Sequence, residues 1–170
     1  LPQKKEGSDR IEIMLVAAKK EIVDDYLKML NDIKLNVVVV DVDGFALENI
    51  WETISGKIEN VALVDIGASK MNINIISEGI SVLARDIVVG SEQLTEQLAN
   101  ILDIDIHQAE KVKLGTETHN IKEKEIAGIY NQTCTQWVLE IKKAIDLYLA
   151  NNPDKPLQSL VLSGGGAKVS

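Results

Sequence analysis

A chain of 170 residues, 45% apolar and 26% charged, is long enough for one domain or two small subdomains around a real core. Its net charge of −8 argues against a nucleic-acid partner, since binders of the phosphate backbone are normally basic. A single cysteine, Cys134, leaves no disulfide framework or Cys-rich zinc site. No run approaches the roughly 18 apolar residues of a membrane span, and no stretch reads as a signal peptide.

Residues 1–10 are polar. Residues 11–18 read as a strand. Residues 19–34 read as a helix, because Ile22, Tyr26, Leu30 and Ile33 recur at spacings of three and four. The β-branched run over 37–42 has the pattern of a strand buried on both faces. Residues 45–54 read as a short helix and 60–66 as the next strand. Over 71–76, Ile73 and Ile75 alternate with Asn72 and Asn74, and Glu78-Gly79 turns the chain into 81–89, a β-hairpin. After Gly90 the period becomes helical, with Leu94, Leu98, Ile101 and Leu102 on one stripe.

A second helix is expected over 106–114, stopped by Gly115, with a polar connection over 115–120. A long helix follows over 122–150, then a breaker loop over 151–156 and a last strand over 157–163. Strands mixed with helices and one tight hairpin predict an α/β fold with a mixed sheet. The chain begins Leu1-Pro2 and stops four residues after Gly166, where such a turn usually opens a helix. It is therefore expected to be a piece of a longer protein.

Several familiar chemistries are absent. Gly166-Ala167-Lys168-Val169-Ser170 does not satisfy the P-loop pattern, and no G-x-G-x-x-G follows a strand. His107 and His119 have no ligand partners nearby in sequence and read as surface residues. Cys134 reads as a small residue on a helix.

Two glycine turns remain. Asp65-Ile66-Gly67-Ala68-Ser69 follows an apolar strand, and so does Ser163-Gly164-Gly165-Gly166-Ala167. Asp65 can hold hydrated Mg²⁺ through water, and the N–H groups after it can hold a phosphate. The plain alternative is a tight hairpin connection with Asp as turn former. The triple glycine implies close approach of something flat or bulky, and a linker would not sit at the end of an apolar strand. Gly90 opens a helix whose N-terminus suits an anion, or is simple turn chemistry. Glu110 and Lys113 share a helix face. They are placed either to meet a ribose and an adenine face or to form a solvated ion pair. Taken singly, the Asp65 turn and the Glu110–Lys113 pair are more often structural.

In this order the four elements resemble the second half of an actin-type nucleotide-binding fold. Val16-Ala17-Ala18-Lys19-Lys20-Glu21, Val40-Asp41-Val42-Asp43-Gly44-Phe45-Ala46-Leu47-Glu48 and Val64-Asp65-Ile66-Gly67-Ala68-Ser69 sharpen it. So do Arg85-Asp86-Ile87 and Gly90 with Gln93-Leu94-Thr95. Together they resemble the PilM family, the actin-like, FtsA-related assembly proteins of type IV pili, over nearly the whole chain.

The resemblance implies an actin-like (ribonuclease H-like) ATPase fold, present mainly as its second lobe. Residues 1–42 would be the end of the inserted small subdomain and the return to the core, and 43–170 the second lobe. It implies an ATP and Mg²⁺ site built from Asp65, Gly67, Ala68, Ser69, Gly90, Glu110, Lys113, Gly164, Gly165 and Gly166. Here that would be half of a site, with Asp65 the one candidate for catalysis and for the metal. Lys70 and Ser91 depart from the family, where a hydroxyl residue and a second glycine are common. Lys70 either reaches a phosphate oxygen or points outward.

The implied function is a cytoplasmic ATP-binding scaffold, peripheral at the inner membrane, with slow or no hydrolysis. It would serve type IV pilus assembly and twitching motility, docking on the pilus platform through the N-terminal tail of a PilN-type membrane protein. Homo-oligomerisation stays open. An FtsA-like division protein and a small-molecule kinase of the same superfamily are the alternatives.

Overall fold

Val61-Ala62-Leu63-Val64 lies at the centre of a four-stranded sheet in the computed structural model, which describes residues 3–4, 11–12, 15–56, 58–117 and 122–169. The chain divides into two compact units, Leu1–Val40 and Asp41–Ser170.

In the first unit, β1 (Gln3–Lys4) pairs antiparallel with β2 (Ile11–Glu12). Of the strand expected over 11–18, residues 11–12 form β2; 13–14 lie outside the described residues, and 15–19 run without a ladder. Helix α1 (Lys20–Asp32) forms as its apolar spacing predicts. It closes where Lys34 takes a φ of 62°. There the Lys34 amide donates to the Asn31 carbonyl (2.9 Å) and the Leu35 amide to the Leu30 carbonyl (3.0 Å), a Schellman arrangement. Its apolar stripe, Ile22, Tyr26, Met29 and Ile33, is exposed.

The buried strand expected over 37–42 does not form. Residues 35–42 have no regular structure, and Val38, Val39 and Val40 are 83%, 74% and 61% exposed. β-Branching favours extended backbone, but a strand exists only where a neighbour takes its amides and carbonyls. No strand among the described residues does so here.

In the second unit, α2 (Asp43–Ser55) starts two residues before the expected helix and precedes β3 (Val61–Ile66). Strands β4 (Met71–Ser77) and β5 (Ile80–Ile87) form the expected hairpin. Its two turn residues, Glu78 and Gly79, have φ of 55° and 77°, the type I′ geometry that matches strand twist. Then come α3 (Glu92–Leu102), α4 (Ile106–Lys113), α5 (Glu123–Asn151) and β6 (Ser159–Ser163). The Gly115 amide donates to Val112 and the Thr116 amide to Lys111, so Gly115, with φ of 69°, ends α4 as expected. The strand order is β5-β4-β3-β6, with β3 antiparallel to β4 and parallel to β6, so the sheet is mixed.

Both faces of β3 and β4 are covered. On one, Ala62, Val64, Ile73 and Ile75 pack with Trp137, Ile141, Ala144 and Tyr148 of α5. On the other, Val61, Leu63 and Ile76 pack with Leu47 and Trp51 of α2. A third cluster, with Leu94, Leu98, Ala109 and Ile129, joins α3 and α4 to α5. Asn72 and Asn74 alternate with Ile73 and Ile75 as predicted, yet they are buried too, because α2 covers their face. Asn74 donates to the Gly44 carbonyl (3.1 Å) and accepts from Ser81 Oγ (2.6 Å), which answers the cost of burying its amide. Cys134 is half-buried on α5 against the first cluster, and His107 is exposed on α4. His119 lies outside the described residues.

Candidate functional site

Parallel pairing of β3 with β6 brings the two glycine turns together, although about a hundred residues of chain separate them. Asp65 stands opposite Ser163, and Ser163 Oγ donates to Asp65 Oδ1 at 2.8 Å. Gly164 has φ of 85°, and a Cβ there would lie 2.4 Å from the Ile66 carbonyl oxygen. A Cβ at Gly166 would lie 2.3 Å from Ile66 Cγ2. The flat object that these glycines admit is therefore the end of β3 itself. At Gly165 nothing comes within 4 Å of a Cβ, so this glycine faces open space. Residues 165–168 form one 3-10 turn after the strand.

Gly90 behaves in the same way. A Cβ there would sit 2.1 Å from the Ala68 carbonyl oxygen and 2.9 Å from that of Gly67. The approach is drawn tight by the Ser91 amide donating to Gly67 (2.9 Å) and the Glu92 amide to Ala68 (2.9 Å). These first amides of α3 serve the β3–β4 turn and are not aimed at an anion. Within that turn the Gly67 amide donates to the Lys70 carbonyl at 2.9 Å. Ala68 and Ser69 are exposed, and neither amide has an acceptor among the described residues. Successive unpaired amides on a sharp turn can take an anionic oxygen.

Glu110 and Lys113 meet on α4, with Nζ 2.7 Å from Oε2. The pair is solvated on one side only: the Lys113 side chain is 7% exposed and that of Glu110 43%. Thr95 of α3, which was not singled out as a site residue in the sequence, stands between them. Its Oγ1 donates to Glu110 Oε2 (2.8 Å) and accepts from Lys113 Nζ (2.9 Å). Burial pushes the Glu110 carboxyl up, but the hydrogen bonds from Lys113 and Thr95 and the Lys113 charge outweigh it. Its pKa lies below the usual carboxylate value. Tyr130 of α5 donates to the Lys113 carbonyl at 3.1 Å and ties this group to the long helix. Thr95 lies one helical turn beyond Ser91, so the Glu110–Lys113 group is joined through α3 to the Gly67-Ala68 turn.

A second feature was not legible in sequence. Ser163, Asp65, Asn72 and Asp86 stand opposite one another across β6, β3, β4 and β5, a polar row over the whole sheet. Asn72 Nδ2 donates to Asp86 Oδ1 at 2.6 Å. Lys70 does not point free into solvent: Nζ lies 2.6 Å from Asp43 Oδ2 and 3.5 Å from Asp86 Oδ2. A cavity of about 300 Å³, lined by Trp51, Gly56, Ile58, Ile76 and Gly79, opens by the hairpin tip, at the other end of β3 from the glycine turns.

The solved PilM–PilN type IV pilus biogenesis complex is similar to this chain at 22% identity and a TM-score of 0.72, over 89% of this chain and 43% of that one. MreB 5 of Spiroplasma citri bound to AMPPNP matches at 15% identity and a TM-score of 0.64, over 89% of this chain and 55% of that one. Ta0583, an archaeal actin homolog, matches at 13% identity and a TM-score of 0.58, over 77% and 44%. At such identities the likeness carries the fold, and the fold is actin-like. The chain spans about half the length of these relatives or less. The family model for type IV pilus assembly protein PilM matches residues 1–170, and the chain belongs to that family.

Proposed function

We propose that this chain forms one wall of an ATP site in a cytoplasmic scaffold protein that lies at the inner membrane and serves type IV pilus assembly. The observation that carries this reading is the docked pair of glycine turns. It leaves the Ala68 and Ser69 amides unpaired and Gly165 facing open space, beside the carboxylate of Asp65. Those amides suit phosphate oxygens, and the space over Gly165 suits the nucleoside side. Among the described residues no three His, Cys, Asp or Glu side chains gather to hold a bare metal ion. In this reading Asp65 receives Mg²⁺ through water, as a companion of the nucleotide. Glu110, Lys113 and Gly90 act behind the site: Thr95 locks the first two, and Gly90 lets α3 press on the phosphate turn.

ATP acts by selecting a partner-binding state, with slow or no hydrolysis. The partner is the N-terminal tail of a PilN-type membrane protein, a reading supported by the family and by the solved complex of that composition. The test is nucleotide titration of the intact protein that carries this sequence. Asp65→Ala and Gly165→Val each weaken ATP binding by tenfold or more, about 1.4 kcal/mol. Unchanged affinity in both overturns the site. Rapid phosphorylation of a small sugar or acid would favour a kinase over a scaffold.

A further inference from the structure

The Lys70 ammonium is held between two carboxylates, those of Asp43 and Asp86, at the edge of the polar row that also carries Asp65. Asp43 lies in the first turn of α2, Asp86 on β5 and Asp65 on β3. Asn72, 7% exposed, keeps its Oδ1 without a partner in the middle of the same row. Lys70 is also the closing residue of the turn that carries the unpaired amides, and its carbonyl holds the Gly67 amide.

We propose that Lys70 senses the terminal phosphate: it rests on Asp43 and Asp86 without nucleotide and moves to the last phosphate of a nucleoside triphosphate bound at the Ala68–Ser69 amides. The inference rests on the phosphate site proposed above and adds to it the residue that distinguishes triphosphate from diphosphate.

Three features make the exchange cheap in one direction and favourable in the other. The partners are open to water, with side chains 46% exposed at Lys70, 62% at Asp43 and 58% at Asp86, and such ion pairs are weak. Asp43 has no other side-chain partner among the described residues, but the N-terminal end of α2 stabilises its charge once Lys70 leaves. Asp86 keeps the Asn72 amide. A terminal phosphate, with up to about two charges and three acceptor oxygens, outcompetes one exposed carboxylate for a flexible ammonium. The contact with Asp43, then burial, then the Asp86 charge act on Lys70, and the balance holds it in its charged form.

The test is the affinity of the intact protein for MgATP and MgADP, by calorimetry, in three forms. The wild type prefers ATP. Lys70→Met loses about tenfold in ATP affinity and much less in ADP affinity, so the preference collapses. Asp43→Asn frees Lys70 and raises ATP affinity while keeping the preference. A merely structural ion pair would weaken binding in both variants and for both nucleotides alike. Equal losses of ATP and ADP in Lys70→Met, or weaker ATP binding in Asp43→Asn, overturn the sensor and leave the phosphate site standing. Failure of the wild type to bind either nucleotide overturns both. Circular dichroism confirms that the variants, changed only at exposed side chains, remain folded.

Discussion

Replacing Gly90 by Ala tests whether the glycines of this site serve the ligand or the chain. The added methyl would lie 2.1 Å from the Ala68 carbonyl oxygen and 2.5 Å from its carbon, both backbone atoms that cannot rotate away. Ordinary contact begins near 3.4 Å, so the turn and the start of α3 must part by roughly 1.3 Å. Separation on that scale breaks the two 2.9 Å hydrogen bonds from the Ser91 and Glu92 amides. Each is worth about 1 kcal/mol net, and an unpaired donor at buried Ser91 adds about 1–3 kcal/mol. The stiffer unfolded chain returns about 0.4–1 kcal/mol. We expect a loss of about 3 kcal/mol in urea unfolding, read as a lower midpoint at an unchanged slope. Gly165→Ala is the control, since nothing lies within 4 Å of its Cβ, and it should change stability by less than about 0.5 kcal/mol. A Gly90→Ala protein as stable as wild type would refute the reasoning, as would equal losses at the two positions.

Further expectations follow from the same contacts. Tyr148, 1% exposed, donates from its hydroxyl to the Lys155 carbonyl at 2.7 Å, so Tyr148→Phe should cost about 1–2 kcal/mol in the same assay. Asn74→Ala removes the donor to Gly44 and the acceptor of Ser81 together, and should cost about 2–3 kcal/mol; a neutral result would mean that water replaces both bonds. The Glu110 carboxyl is lowered on folding from its ordinary 4.5. Its contribution is therefore complete above that value and is lost as pH falls through the folded one. Glu110→Gln should be less stable than wild type near neutral pH, and in urea titrations the gap should narrow as pH falls below the ordinary carboxylate value and through the lowered folded one. A gap that stays constant with pH would show that the Glu110 charge does not matter.

Local patterns of this chain were legible wherever an element carries its own signal. The spacing of Ile22, Tyr26 and Ile33 marked α1, Glu78-Gly79 marked the hairpin, and Gly115 marked the end of α4. Binary periodicity and turn chemistry act over a few residues, so they survive in sequence alone. The order of the glycine turns and the E-x-x-K helix pointed to the actin-type fold, and the stretches around Lys19-Lys20, Phe45-Ala46-Leu47 and Asp65-Ile66-Gly67 narrowed it to the family.

What the sequence could not carry depended on partners far along the chain. The Val37–Val42 run has strand propensity, but no ladder among the described residues receives it, and it stays exposed. The alternation of Asn72 and Asn74 with Ile73 and Ile75 gave no sign that α2 would bury the asparagine face as well. Thr95 gave no sign that it would sit between Glu110 and Lys113, nor Lys70 that Asp43 and Asp86 would hold it. The meaning of the glycines changed most. The triple glycine marked 164–166 as a place where something comes close, but only the pairing of β3 with β6 identifies that something, at 164 and 166, as the protein's own chain, and the docking of α3 does the same for Gly90. The open positions are Ala68, Ser69 and Gly165.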